Sequence, residues 1–101
     1  MNLRLIIGAV AILTSLSSWA IDPFTKELYE SSCKICHAGG AGGAPKSFDV
    51  EDWAPRLEKG NDVLLQNAIA GFKGMPPLGM CSDCTKEDLV DLIDYMATEQ
   101  K

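Results

Sequence analysis

Cys33-Lys34-Ile35-Cys36-His37 is the stretch on which the reading of this chain turns. C-x-x-C-H is the signature of covalent c-type haem attachment. Two thiols three positions apart on a helical turn can each form a thioether to one vinyl group of the same porphyrin, and the adjacent imidazole is then held under the iron. On this reading Cys33 and Cys36 anchor one covalently attached haem c, and His37 is its proximal ligand. His37 is also the only histidine among the 101 residues. A haem with two imidazole ligands from one chain is therefore excluded, and the second axial position falls to another side chain.

Other fates for these cysteines compete with haem. A thioredoxin-like dithiol uses C-x-x-C, but there the motif follows a buried strand in a βαβ pattern, and nothing of that kind precedes Cys33. A zinc site could join Cys33 and Cys36 with the second pair, Cys81-x-x-Cys84. The two pairs stand further apart than a compact zinc ribbon uses, and zinc leaves His37 unexplained. Structural disulfides alone are the plainest alternative.

The segment before the motif sets the compartment. Met1 to Arg4 supplies a positive start, Leu5 to Leu13 is an apolar run without charge, and Ser18-Trp19-Ala20 places small residues where a signal peptidase reads. Cleavage after Ala20 is expected, leaving residues 21–101 as a single domain. The competing reading, a membrane anchor, needs roughly 18 apolar residues, more than the stretch from Leu5 to about Leu16 provides. Export would place the four cysteines in an oxidising compartment, where free thiols do not persist. A domain this small commonly needs a disulfide, metal or other staple to supplement its core.

Composition narrows the function classes. Nine Lys and Arg against fourteen Asp and Glu give a net charge of −5, and 47% of residues are hydrophobic. This is ordinary globular composition, not a disordered acidic tail, and its scarcity of basic residues disfavours nucleic acid as a partner.

Beyond the signal segment the periodicity is helical, with no convincing strand alternation. Asp22-Pro23 opens a helix expected to reach about Cys33, with Phe24 and Leu28 one turn apart. Gly39-Gly40-Ala41-Gly42-Gly43-Ala44-Pro45 lets backbone approach a flat ligand closely; it lacks the strand and the Gly-Lys-Ser/Thr ending of a phosphate loop. A short helix is expected over Asp52 to Lys59, with Pro55 tolerated in its first turn and Gly60 at its end. Another spans about Asp62 to Ala70, capped by Asn61 and ended by Gly71. Thr85 and Asp88 form an approximate capping box for a last helix, whose Leu89, Leu92, Ile93 and Met96 share a face.

With no second imidazole, the soft thioether of methionine is the natural sixth ligand. Met96 continues an apolar helix face and is expected in the core. Met80 abuts Cys81. Met75 lies in Gly74-Met75-Pro76-Pro77-Leu78-Gly79, where two prolines restrict the backbone and would hold a side chain aimed at iron. Met75 is preferred, with Met80 and an open site as the alternatives. Trp53, Leu57, Ile69 and Leu78 are candidate pocket walls.

Taken together, Cys33-x-x-Cys36-His37-Ala38, the Gly39 to Pro45 stretch, Trp53-Ala54-Pro55-Arg56, Gly60, Gly74-Met75-Pro76-Pro77 and Cys81-x-x-Cys84 resemble bacterial cytochrome c5, a class I c-type cytochrome. The resemblance spans nearly all of residues 22–98. It implies a small all-α fold wrapped around one haem, with first and last helices crossing, and His37 and Met75 as axial ligands. It implies that the Pro45 carbonyl accepts a hydrogen bond from the proximal imidazole, and that Cys81 and Cys84 are disulfide-bonded. Leu78 departs from the family, which often has a basic residue there.

The function that follows is a periplasmic single-haem electron carrier, not an enzyme, because an iron filled on both sides has no position for substrate. Its partners are expected to be a respiratory donor and a terminal oxidase or reductase presenting basic surface, with no nucleic acid, no stable membrane insertion once the signal is cleaved, and a monomeric state. A haem sensor with a displaceable sixth ligand, or a small haem subunit of a larger oxidoreductase, are the alternatives. The Asp49-Glu51-Asp52 cluster is read mainly as a solvated loop and secondarily as a docking site, and Asp88, Asp91 and Asp94 as the outer side of the last helix.

Overall fold

A computed structural model describes Gly8 and residues 21–100. The expected signal segment, apart from Gly8, lies outside the described residues. Among those described there is no strand, only an isolated bridge between Phe72 and Met75, so the all-α expectation holds.

The first helical run is longer than its sequence suggests. Helix α1 (Pro23–Leu28) is capped by Asp22, whose carboxylate accepts from the Phe24 amide at 3.0 Å, with Pro23 in the first turn. It passes without a break through a π-helical turn (Tyr29–Cys33) into α2 (Lys34–His37). No breaker stands between Pro23 and His37, and Lys34 pairs with Glu30 at 2.7 Å across the junction. The buried positions of this run are Thr25, Tyr29, Cys33 and His37, spaced by four. A stripe of that spacing drifts around an α-helix of 3.6 residues per turn; a wider π turn takes up the drift and keeps His37 in line with Tyr29. Phe24, by contrast, is 53% exposed.

Helix α3 (Val50–Leu57) starts two residues before the expected Asp52, because the Asp49 side chain accepts from the Asp52 amide at 3.1 Å and fixes the cap there. Pro55 consequently sits in the helix interior, not in the first turn as the sequence reading placed it. Helix α4 (Asn61–Ala70) likewise begins one residue early: Gly60, at φ 95°, takes the capping position that was assigned to Asn61. Helix α5 (Lys86–Ala97) carries the capping box in both directions, Thr85 N–H to Asp88 Oδ2 at 2.9 Å and Asp88 N–H to Thr85 Oγ1 at 3.1 Å.

Leu89, Leu92 and Met96 of α5 meet Tyr29, Cys33, Trp53 and Leu65 in one core. Helices α1 and α4 both pack on α5. Beside this core Tyr29, Phe48 and Tyr95 form a ring of tilted and edge-on contacts, with centroids 5.1–5.5 Å apart. The Phe48 amide donates to the Met96 carbonyl at 2.7 Å, which ties the loop after the glycines to the end of α5. The core thus brings the cysteine-bearing run, the glycine loop and the last helix together.

Candidate haem site

His37 closes α2 and is 7% exposed. Its Nδ1 lies 2.8 Å from the Pro45 carbonyl oxygen. That bond requires the proton on Nδ1, so in the neutral ring the lone pair lies on Nε2, the form in which imidazole binds a metal. The Ser47 amide donates to the His37 carbonyl at 2.7 Å, so the glycine loop folds back on the helix that precedes it.

Sequence reading did not foresee what holds the ring's other side. The Trp53 ring stacks on His37, with centroids 5.8 Å apart and planes inclined by 21°. Its indole N–H donates to the Lys46 carbonyl at 2.9 Å. Consecutive carbonyls, Pro45 and Lys46, therefore take the imidazole and the indole, and fix the two planes relative to one another. Arg56 adds a second strut, donating to the Asp52 carbonyl at 2.6 Å and to the Gly43 carbonyl at 3.1 Å. Within the acidic cluster, Asp49 caps α3 and the Asp52 carboxylate accepts from the Lys46 amide at 3.1 Å. Two of its three carboxylates thus hold local structure. The Trp53 stack on His37 and the Arg56 bond to Gly43 join separate segments, and local periodicity carries no signal for them.

Cys33 is buried and Cys36 exposed, and neither is disulfide-bonded. Burial pushes the Cys33 thiol up to about 11. A redox dithiol needs a shift in the opposite direction, towards thiolate. Cys81 and Cys84 are disulfide-bonded, with Cα atoms 5.4 Å apart. That uses up the ligands a four-cysteine zinc site would need, and no group of three or more potential metal-binding residues forms among the described residues.

The three methionines stand in different environments. Met96 is core, at 3% exposure, and Met80 projects into solvent at 69%. Met75 is half-buried, in a turn closed by two backbone bonds with Phe72 at 2.9 and 3.0 Å. Pro76 continues from it in extended conformation into a 3₁₀ turn (Pro77–Met80) in which Leu78 and Gly79 are left-handed. Of the candidate walls, Trp53 is core and Ile69 and Leu78 pack against it, but Leu57 is 37% exposed and takes no part. Two thiols on one helical turn, an imidazole with its Nε2 lone pair free and a half-buried thioether on a braced loop are a donor set that fits haem c.

Residues 25–96 match the sequence model of a family described as cytochrome c oxidase, cbb3-type, subunit III. Cytochrome c5 of Ectopseudomonas mendocina is 37% identical over 70% of this chain and 84% of its own. The chain belongs to the cytochrome c5 family. A mono-haem ferrocytochrome c from Shewanella putrefaciens is 43% identical and superposes with a TM-score of 0.66 over 75% of this chain and 94% of the other. A further solved structure, an electron transfer complex of nitrite reductase with cytochrome c, contains a chain 38% identical, with a TM-score of 0.69 over 77% of this chain and 95% of that one. The fold is accordingly that of a class I cytochrome c. Membership brings with it a single covalently attached haem c and the role of electron carrier.

Proposed function

We propose that this cytochrome is a diffusible periplasmic shuttle for single electrons, with its iron held between His37 and Met75. The observation that supports the reading is the bond of His37 Nδ1 to the Pro45 carbonyl, which leaves Nε2 as the ring nitrogen open to iron. Bound here, the haem supplies a reversible ferric–ferrous couple. Cys33 and Cys36 hold it to the chain, and Pro45 and Trp53 set the plane of the His37 ring. Met75 closes the opposite side with a thioether, and with the apolar surroundings of Trp53, Ile69 and Leu78 favours the reduced state, which raises the reduction potential. With both axial positions taken, no site for substrate is left, and the protein is not an enzyme.

Replacing Met75 with alanine is the decisive test. The weak near-infrared sulfur-to-iron band of the oxidised protein disappears, and the reduced protein gains carbon monoxide binding at neutral pH. A wild-type protein that already binds carbon monoxide readily would favour a sensor with a displaceable ligand.

Redox proteins are its partners. The net charge of −5 points to a respiratory donor and an oxidase or reductase that present basic surface, with association weakened by salt. The neighbouring structure in which a cytochrome c is complexed with nitrite reductase supports a reductase among them. Export follows from the signal segment at residues 1–20, and amino-terminal sequencing of the mature protein is expected to begin at Ile21. No helix among the described residues is long and apolar enough to cross a membrane. The family description, which names an oxidase subunit, supports one other reading, a small haem subunit of a larger oxidoreductase. Size-exclusion of a native extract separates the two, since a free shuttle elutes as a monomer.

A further inference from the structure

We propose that Gly71 is a positioning residue for Met75: the side chain it lacks leaves the slot through which the main chain of Met75 to Pro77 crosses the end of α4. The inference rests on Met75 being the sixth ligand.

Gly71 ends α4 at φ 89° and ψ 150°, a backbone region essentially confined to glycine. A Cβ placed there would stand 3.0 Å from the Met75 carbonyl oxygen, 3.1 Å from the Pro77 nitrogen and 3.2 Å from Pro77 Cδ. These are main-chain and ring atoms, and none can swing aside as the tip of a flexible side chain would. Immediately beyond, Phe72 and Met75 exchange both backbone hydrogen bonds, so the two-residue turn between them moves as a unit. Lys73 inside that turn is held at φ 53°, a conformation unfavourable for a residue with a side chain. Pressure on the Met75 carbonyl is therefore passed to the Met75 Cα and is not absorbed by a pliable loop. At the far end of the same side chain, a Cβ on Gly79 would meet Met75 Cε at 3.2 Å. Met75 is bounded at its root and at its tip by positions that have no side chain. A ligand must be placed within about 0.5 Å to bond well, so filling the slot at Gly71 weakens the thioether bond.

Gly60 supplies the control. It stands beside a helix end at φ 95° and ψ 146°, nearly the same backbone conformation, but a Cβ there would have nothing within 4 Å. Substitution at Gly60 carries the conformational penalty without the collision.

The test uses the full-length haem-loaded protein and three variants, Gly71→Ala, Gly60→Ala and Met75→Ala. Two readouts are taken: the near-infrared band of the oxidised form and the affinity of that form for added imidazole. In Gly71→Ala the band is lost or strongly weakened, and imidazole binds about tenfold tighter than to wild type. Gly60→Ala loses thermal stability but keeps both properties. If Met75→Ala loses the band while Gly71→Ala retains it with wild-type imidazole affinity, the positioning role is wrong and the ligand assignment stands. The role is equally wrong if Gly60→Ala loses the band as Gly71→Ala does, since a general loosening then explains both. A band that survives in Met75→Ala overturns the ligand assignment itself. Should Gly71→Ala yield no haem protein, the same readouts are taken on Gly71→Ala in an Asp91→Ala background, which raises helix propensity at an exposed position of α5 and leaves the Met75 turn untouched, against Asp91→Ala alone. Retention of the band there also overturns the proposal.

Discussion

The molecule uses the same spacing, C-x-x-C, twice and to opposite ends. Cys33 and Cys36 lie in a continuous helical run, one buried and one exposed, and are not joined. Cys81 and Cys84 lie in a turn ahead of a helix and are bonded to each other. Residues three apart on a helix are also neighbours, so proximity does not separate the two cases. What separates them is the backbone around each pair and the residue that follows. After the first pair comes His37, buried and hydrogen-bonded to Pro45; after the second comes Thr85, which caps α5. One pair ends a helix at the proposed iron ligand, and the other begins a helix at a cap. The first is read as chemistry, the second as a brace.

The largest effect expected from breaking this contrast is qualitative. In a Cys33→Ala, Cys36→Ala double variant, acid-acetone extraction of the denatured protein removes all the haem. In a Cys81→Ala, Cys84→Ala double variant the Soret band stays with the polypeptide, as in wild type. Haem extracted equally from both would erase the distinction between the pairs.

The second pair is expected to show itself in stability instead. Closing so short a loop contributes only about 2 kcal/mol in the chain-entropy model. For a domain of this size that is roughly a 10 °C fall in the thermal midpoint of the Cys81→Ala, Cys84→Ala protein. Its near-infrared band is unchanged, provided the brace acts on α5 and not on Met75. A lost band with an unchanged midpoint would mean that the second pair serves the ligand loop after all.

Which parts of this could be read from the chain follows from the range of the interactions. C-x-x-C-H, the Asp22-Pro23 start, the Thr85 to Asp88 box and the two prolines after Met75 are all local devices, complete within a few residues, and each is found where the sequence puts it. The start of α3 is not legible in the sequence because Asp49 and Asp52, three residues apart, are both able to cap, and the structure shows that Asp49 does so. With that cap the interior position of Pro55 follows. The π turn is illegible for another reason: its cause is a stripe of buried residues at 25, 29, 33 and 37, and the threonine and histidine in that stripe do not register as apolar periodicity. The Trp53 stack on His37 and the Arg56 strut to Gly43 join separate segments. Their residues were visible, and Trp53 was placed near the pocket, but its partner was set by tertiary packing alone.

The smallest effect is the one that tells most about how the second pair works. Thr85→Ala removes a side-chain cap and is expected to cost about 1 kcal/mol, measured as a fall in the denaturant midpoint. Cys84 is the residue immediately before that cap, and its amide already donates to the Cys81 carbonyl at 3.1 Å. If the disulfide holds the chain in the conformation from which Thr85 reaches the Asp88 amide, the cap is weaker once the disulfide is gone. Thr85→Ala then costs less in the Cys81→Ala, Cys84→Ala background than in wild type, and the two changes together cost less than their sum by about 0.5 kcal/mol or more. Strict additivity would show two neighbouring but independent devices, with the disulfide bracing only its own turn. Coupling would give the second C-x-x-C a role parallel to the first: in each, the paired cysteines hold in place the residue that comes next.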